Sequence, residues 1–233
     1  MIKYYVIIFL LITRGFAAQV KDYSYEDGKE IYETTCVSCH GVNGDTNNAM
    51  ALVVRPRQLN KTVLTKEQSF QVIKEGAHFW GAHSDIMPTF KYVYSDDELE
   101  DVAHYITQAF NPNGKQRIQK LLDESDTIGE ENQPKMLKTG EKIFNRNCSM
   151  CHGITGDGQS EYVEQSKAEK NFIFPYDLRR TLLSEEQIFL YAKHGGKFWG
   201  TMEDDMPSWK NKYNDFELKS VAKYVNEKIK TMK

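Results

Sequence analysis

Two pentapeptides combine cysteine and histidine at a spacing that can do chemistry. They are Cys-Val-Ser-Cys-His at 36–40 and Cys-Ser-Met-Cys-His at 148–152. In each run two thiols lie one helical turn apart, where both can add to the vinyl groups of one porphyrin, and the adjoining imidazole can reach the iron. The pattern predicts two covalently bound haem c groups. The thiols that would hold them belong to Cys36, Cys39, Cys148 and Cys151, and the iron ligands would be His40 and His152.

The same residues could also form a redox dithiol or half of a zinc site. A zinc site would ask for further ligands at matching spacing, and a redox dithiol would not need the histidine. All four cysteines of the chain lie within the two runs, so no thiol is left for a disulfide, a nucleophile or a third metal site. The cysteine count therefore favours the haem interpretation.

The chain is a duplication around these two runs. An offset of 112 residues carries Gly28 and Cys36 onto Gly140 and Cys148. After the motif the offset becomes 119, because the second copy has gained seven residues between His152 and Pro175. Many aromatic, glycine and proline residues match in register, and two repeats are too few for a solenoid.

Each copy is predicted to be a set of helices joined by long loops. The residues predicted to cap helices at their N-termini are Ser24, Thr65, Ser95, Ser184 and Asn214. Apolar residues then recur at helical spacing, and strand signals are absent. We expect the first and last helices of each copy to cross at Gly28 and at Gly140. The polar, glycine-rich loops need a large apolar ligand to complete a core, so each domain without haem should be largely unfolded.

Composition and charge divide the chain into four segments. Residues 1–18 resemble a secretory signal peptide, with Lys3 ahead of an apolar block at 4–12 and small residues at 15–18. The block is short for a membrane span, although a retained anchor is the alternative. Domains are predicted at 19–113 and 136–233. The segment 114–135 is predicted to be a solvated linker that wraps the surface, with a helical turn near 118–122.

The second ligand of each iron is predicted from a repeated Met-Pro pair. Met87 and Met206 occupy matching places in the two copies. A thioether suits the haem iron of electron carriers, whereas a lone methionine is more often part of a core. The predicted metal ligands are therefore His40, Met87, His152 and Met206. His78 and His83 flank the first Met-Pro loop and could replace Met87, but we expect both, like His104, at the surface, because the second copy lacks histidines at the places of His78 and His83.

The order of these motifs resembles class I cytochromes c, and their duplication is similar to the soluble tandem dihaem cytochromes c of bacteria. The resemblance spans nearly all of residues 20–230. It implies an all-α fold of two tandem class I cytochrome c domains, each a few helices around one covalently bound haem. It also implies that a proline carbonyl accepts a hydrogen bond from each ligand histidine, and here Pro56 and Pro175 match that proline.

Further residues are expected near the haem. Trp80 and Trp199 should wall it, with each indole N–H able to meet a propionate. Arg57 and either Arg179 or Arg180 are candidates to pair with propionates, although solvent-exposed arginine is an equal alternative.

If both irons are capped by His and Met, neither has an open position for a substrate. The expected function is then that of a periplasmic electron carrier in a respiratory chain and not that of an enzyme. The alternatives are the cytochrome subunit of a multi-subunit dehydrogenase or oxidase, and a dihaem peroxidase.

Expected partners are redox proteins: a membrane quinol-oxidising complex and a terminal oxidase or reductase. We expect no nucleic acid and no stable membrane insertion, and a dimer is an open alternative. Residues 20–118 are net acidic and residues 136–233 net basic, so the two domains could dock on different partners.

Overall fold

A computed structural model describes residues 21–48, 50–83, 87–169, 172, 174–201 and 206–232. Within these ranges the chain is helical and has no β-strand. The predicted all-α class with two domains is thereby confirmed. The predicted signal peptide at 1–18 lies outside the described residues. None of the described helices is both long and apolar enough to cross a membrane.

The first copy begins at Ser24, whose Oγ accepts a hydrogen bond from the Asp27 N–H at 3.2 Å, as the cap predicted. The Thr65 and Ser95 capping boxes also form. The α-helices of this copy are α1 (Tyr25–Ile31), α2 (Val37–His40), α3 (Ala51–Val54), α4 (Lys66–Glu75) and α5 (Asp96–Phe110). A π-helical turn at Tyr32–Cys36 joins α1 to α2, and short 3₁₀ turns occupy Leu59–Lys61 and His78–Trp80.

The second copy repeats this order after one connecting helix. Ser184 and Asn214 close capping boxes, as predicted. The helices are α6 (Gly114–Asp123), α7 (Gln133–Ile143), α8 (Ser149–His152), α9 (Glu161–Ser166), α10 (Glu185–His194) and α11 (Asp215–Glu227). A π-helical turn at Phe144–Cys148 joins α7 to α8. Further 3₁₀ turns lie at Glu130–Asn132, Leu178–Arg180, Lys197–Trp199 and Ile229–Thr231. The α9 helix lies between His152 and Pro175, the interval in which the second copy is seven residues longer.

The first and last helices of each copy cross where glycine was predicted to allow it. A Cβ on Gly28 would lie 2.2 Å from the Asp101 carbonyl oxygen of α5. A Cβ on Gly140 would lie 2.0 Å from the Ser220 carbonyl oxygen of α11. Contacts this short with backbone atoms cannot be relieved by a side-chain rotation, so both crossings require glycine.

The linker does more than wrap the surface. It forms the whole helix α6 instead of the single helical turn that was expected, and Ile118, Leu121 and Leu122 pack against the core of the second copy. The Arg117 guanidinium donates to the Lys61 and Thr62 carbonyls at 2.9 and 3.0 Å. Its Cζ lies 5.1 Å from the Trp199 ring centre. The expectation of a linker without an interface was wrong, because its leucines and isoleucine fall on one face of a helix and bury there.

The two copies face each other through backbone contacts that repeat about an approximate two-fold axis. The Gln58 N–H donates to the Gly200 carbonyl at 2.9 Å, and the Asp177 N–H donates to the Gly81 carbonyl at 2.8 Å. Gln58 and Asp177 are equivalent positions of the repeat, as are Gly81 and Gly200. Val63 of the first copy is buried within the core of the second. The two domains therefore share a packed interface.

A glutamine from each copy lies at this axis. Gln68 and Gln187 exchange side-chain hydrogen bonds of 2.7 Å in both directions. Gln68 also donates to the Leu182 carbonyl at 2.9 Å, and Gln187 donates to the Val63 carbonyl at 2.8 Å. Both amides thus satisfy their hydrogen-bonding capacity across the interface while their oxygens also complete the capping boxes of α4 and α10.

Candidate functional site

Each Cys-x-x-Cys-His run starts on a π-helical turn and ends at a glycine. The turns at Tyr32–Cys36 and Phe144–Cys148 deliver the first cysteine, and the short helices α2 and α8 carry the second cysteine and the histidine. Gly41 and Gly153 follow with φ of 78° and 75°. Such left-handed residues end a helix at once and turn the chain away. Single π turns occur frequently at functional sites, and both copies have one here.

The histidine of each run is held by a backbone carbonyl. His40 Nδ1 lies 3.1 Å from the Arg57 carbonyl oxygen, and His152 Nδ1 lies 3.1 Å from that of Tyr176. Because a carbonyl can only accept, each Nδ1 carries the proton, which leaves Nε2 as the atom able to bind a metal. Burial lowers the pKa of both imidazoles against the opposing effect of these bonds, and the nearby His83 lowers that of His152 further. Both rings are therefore neutral at pH 7.

The accepting carbonyl lies one residue later than predicted. We expected Pro56 and Pro175 to accept, and the acceptors are the residues that follow them. Proline fixes φ and lacks an N–H, so it sets the path of the chain while the carbonyl of the next residue turns towards the imidazole. The two prolines are thus neighbours of the accepting residues, but their own carbonyls do not accept the histidine hydrogen bonds.

The thiols are partly buried and uncrosslinked. Burial, with a smaller contribution from the second thiol of each run, raises the pKa of Cys36 and of Cys148 to about 12. Burial also raises the pKa of Cys151. Cys36 and Cys148 each pack against the core of their own domain. The thiols of Cys36, Cys148 and Cys151 are therefore protonated at neutral pH. All four cysteines are free of disulfides.

The two methionines are held in the same way in both copies. The Met87 carbonyl accepts from the Ala77 N–H at 3.1 Å, and the Met206 carbonyl accepts from the Gly196 N–H at 2.7 Å. Met87 is half-buried against the first core, and Met206 is half-buried in the second copy. Residues 84–86 and 202–205 lie outside the described part of the chain, and so does Met202, the nearby methionine in the sequence that could compete with Met206 as a ligand. The equivalence of Met87 and Met206 thus extends to their backbone hydrogen bonds.

The tryptophans use their indole N–H groups within the protein. Trp80 Nε1 donates to the Gln71 carbonyl at 3.1 Å, and Trp199 Nε1 donates to the Leu190 carbonyl at 3.0 Å. The expectation that these groups are available to a haem propionate was therefore wrong. Each indole instead ties a 3₁₀ turn to the helix before it, α4 or α10, which satisfies a donor that burial would otherwise strand.

The three candidate arginines have different surroundings. Arg57 lies between two tyrosines of the second copy. Its Nε is 3.5 Å from the Tyr176 hydroxyl, and one of its terminal nitrogens donates to the Tyr191 hydroxyl. Arg179 forms a bidentate pair with Asp177 at 2.8 and 2.9 Å. The Arg180 guanidinium lies 5.8 Å from the Phe79 ring centre. Arg57 is therefore an interface residue, not a solvent-exposed one.

Three histidines outside the two motifs have different surroundings. His78 is exposed, as expected. His104 stacks on Tyr23 with ring centres 5.3 Å apart. His83 was expected at the surface and is instead at the domain interface, where its ring lies 5.7 Å from that of Phe174 and its Nε2 is buried. The error has a physical source, since a single sequence does not show which loop faces the other copy.

The interface residues were missed by sequence reasoning, although a signal existed. Gln68 and Gln187 are equivalent positions of the repeat, and a two-fold arrangement brings equivalent positions together. Tyr191 and Arg117 carried no such signal, because each is unique to one copy. The candidate residues of each copy have the chemistry that a covalent haem c requires: two thiols free of disulfides, one neutral imidazole with a free Nε2, and a methionine held by a backbone hydrogen bond.

The chain was compared with known proteins. The family model described as "Cytochrome C oxidase, cbb3-type, subunit III" matches residues 24–106 and again residues 135–225. The subunit CcoP of the cbb3-type cytochrome c oxidase of Cereibacter sphaeroides is 23% identical over 212 residues, which is 88% of this chain and 61% of the relative. The cytochrome c subunit of the cytochrome bc1 complex of Corynebacterium diphtheriae is 23% identical over 57% of this chain and 47% of the relative. That of Mycobacterium leprae is 24% identical over 56% and 42%.

The chain thus matches about half of the length of these curated relatives. Among solved structures, one from the reducing HAO-like protein complex of Kuenenia stuttgartiensis covers 88% of this chain and 96% of its own, with 19% identity and a TM-score of 0.44. That score is too low to support an argument about the fold. The two separate family matches coincide with the two halves of the duplication. The chain therefore belongs to the cytochrome c family described as cbb3-type cytochrome c oxidase subunit III.

Proposed function

We propose that the chain is an exported, periplasmic dihaem cytochrome c that carries electrons between redox protein partners of a respiratory chain. One observation carries this proposal: in both copies a buried, neutral histidine is held by a backbone carbonyl next to two free thiols. A zinc site would need further ligands, and the described residues contain no group of three or more His, Cys, Asp or Glu side chains that could hold a metal ion.

The proposed haem sites follow the repeat. Cys36 and Cys39 would bind the first haem, with His40 Nε2 and the Met87 sulfur as ligands. Cys148 and Cys151 would bind the second, with His152 Nε2 and the Met206 sulfur. Pro56 and Pro175 would shape the segments behind the histidines, and Trp80 and Trp199 would form part of the walls. The haem supplies the one-electron chemistry when bound. The protein holds the imidazole at Nδ1, keeps it neutral and would fill the opposite position with a thioether.

The proposed domains are 19–113 and 136–233, joined by 114–135, after a signal peptide at 1–18. We infer no enzymatic activity, because a methionine on each iron would leave no open coordination position for a substrate. No partner except redox proteins is proposed. The acidic first domain and the basic second domain suit partners of opposite charge.

The second candidate is a subunit of a multi-subunit oxidase or oxidoreductase. It is favoured by the relatives, which are named as subunits of cytochrome bc1 and cbb3 complexes. In that case the haem domains would look the same, and the catalytic centre would lie on another chain. Tagged protein recovered from membranes together with stoichiometric partner chains would support this candidate, whereas recovery alone from periplasmic extract would support the free carrier.

The test of the main proposal is a potentiometric titration of purified protein with a known haem content. We expect two haems per chain, two one-electron waves, and no binding of carbon monoxide by the reduced protein. One haem per chain would contradict the dihaem assignment. Rapid binding of carbon monoxide would show an open position and would favour a peroxidase-like enzyme.

A further inference from the structure

The first domain places a cationic side chain beside the second proposed haem site. The guanidinium of Arg57 lies against Tyr176 and Tyr191, with ring centres 5.0 and 5.5 Å from its Cζ. The carbonyl of Tyr176 is the group that holds His152. Tyr191 packs near Trp199, with ring centres 6.2 Å apart. The charge of Arg57 therefore lies against Tyr176, the residue whose carbonyl holds the second histidine.

This insertion has no counterpart in the other direction. The position equivalent to Arg57 is Tyr176, and the position equivalent to Tyr191 is Val72. The backbone of Arg57 nevertheless serves its own domain, since its carbonyl holds His40. The backbone carbonyl of Arg57 thus orients the histidine of the first site. Its side chain places a positive charge beside the second site.

A second side chain of the first domain reaches the same region. His83 Nε2 is buried and has no hydrogen-bond partner among the described residues. It lies 2.3 Å from where a Cβ on Gly158 would be, beside the Pro175 carbonyl, so glycine makes room for it. Its counterpart in the second copy is Met202, which is not a hydrogen-bonding side chain of this kind. A buried ring nitrogen without a partner indicates a group that is bound there in the complete protein.

We propose that the second haem site is composite: the first domain completes it with Arg57 and His83, so that its reduction potential is set across the domain interface while that of the first site is not. This inference rests on the proposed function. It assigns two residues that tune a site without supplying ligands to its iron. It also predicts that the two sites are not equivalent, although their histidines and methionines are held alike.

The sign of the effect follows from charge. Arginine remains protonated at every pH at which the protein is folded. A positive charge stabilises the ferrous form over the ferric form, which carries one more positive charge. The interaction is strong because a half-buried guanidinium, stacked on two aromatic rings, is only weakly screened. Arg57 therefore raises the potential of the second site.

The test is a redox titration of the full-length holoprotein and of four variants. In Arg57→Gln we expect the reduction equilibrium of one wave to fall about tenfold, which is about 59 mV for one electron, and the other wave to stay in place. The affected wave should be the one that also moves in Met206→Ala. Arg57→Lys should leave that wave close to its position in the unmodified protein, because the charge is kept. Lys138→Gln removes a charge from an exposed position on α7 of the second copy and should move neither wave.

Each alternative outcome contradicts the inference. If Arg57→Gln moves both waves equally or neither, Arg57 does not tune the second site. If Arg57→Lys shifts that wave as far as Arg57→Gln, packing and not charge is responsible. Loss of a haem or of a two-wave titration in the unmodified protein would instead refute the proposed function, so the two failures are distinguishable.

The contribution of His83 is tested with His83→Phe, which keeps the ring contact with Phe174 and removes the buried nitrogen. We expect the same wave that responds to Arg57 to shift by at least threefold in its reduction equilibrium. His104→Phe, which changes a histidine that stacks on Tyr23, is the matched control and should have no effect. A shift of the wave that Arg57→Gln leaves unchanged, or no shift of either wave, would remove His83 from the composite site.

Discussion

Each motif histidine is held by one hydrogen bond, and that bond decides which nitrogen is left for a metal. The hydrogen bond to the carbonyl of Arg57 or Tyr176 keeps the proton on Nδ1 and leaves the lone pair of Nε2 available to a metal. Burial lowers the pKa of the ring, so a proton does not compete for Nε2 at neutral pH. At the scale of the residue, the site is thus arranged by a single carbonyl and by burial of the ring.

The prediction at the scale of the residue concerns the methionine proposed to bind each iron opposite its histidine. In Met87→Ala, and separately in Met206→Ala, we expect one of two haems to lose its low-spin, six-coordinate state and its potential to fall, because the thioether stabilises ferrous iron. Visible and near-infrared spectra of the oxidised protein measure this. Met150→Ala changes an exposed methionine within the second motif and should leave the spectrum unaltered. An unchanged spectrum in either ligand variant would show that another residue binds that iron.

At the scale of the element, the main feature of each domain is the crossing of its first and last helices. In the first copy α1 meets α5 at Gly28, and in the second α7 meets α11 at Gly140. The crossing fixes the start of the π-helical turn that follows, and with it the first cysteine. It is a fold feature that positions the site directly.

Substitution of these glycines gives the element-scale prediction. Gly28→Ala and Gly140→Ala should each reduce the free energy of unfolding by about 3 kcal/mol, since the new methyl group would have to displace a backbone carbonyl. Denaturant unfolding followed by circular dichroism measures the change. In Gly129→Ala the nearest atoms belong to the flexible Glu131 carboxylate, so that variant should be close to neutral. Equal effects at 28, 140 and 129 would contradict the argument.

At the scale of the whole molecule, the two domains form one unit about an approximate two-fold axis. Backbone bonds join Gln58 to Gly200 and Asp177 to Gly81, and these donors directly follow the residues whose carbonyls hold the histidines. The interface and the two proposed sites therefore share the same chain segments. A movement between the domains would disturb both histidines.

The whole-molecule prediction concerns Gln187. Gln187→Glu keeps the oxygen that caps α10 but removes the donor to Val63 and Gln68 and adds a buried charge. We expect a loss of about 2 kcal/mol or more and looser domains, seen as a larger radius of gyration in X-ray scattering. Glu98→Gln makes the opposite exchange in a capping box away from the axis and should leave the scattering unchanged. An unchanged radius for Gln187→Glu would mean that the pair does not hold the domains together.

The features that the sequence alone predicted correctly depend on local pattern or on repetition. The two motifs, the duplication, the N-caps at Ser24, Thr65, Ser95, Ser184 and Asn214, and the two glycine crossings were all predicted correctly. These features involve either neighbours in the chain or matching positions of two copies. The placement of the indole N–H groups and the accepting carbonyls was wrong, because each depends on a turn geometry that differs by one residue or one rotation.

The sequence by itself therefore determined the family, the two Cys-x-x-Cys-His motifs and the helical class, since each follows from residue type and spacing. Only the tertiary structure decided how the copies meet. It buried α6 against the second core, paired Gln68 with Gln187 and placed Arg57 and His83 of the first domain beside the second site. The physical reason is that a repeat specifies each domain twice but specifies nothing about the contact between them. That contact depends on shape and burial summed over surfaces far apart in the chain.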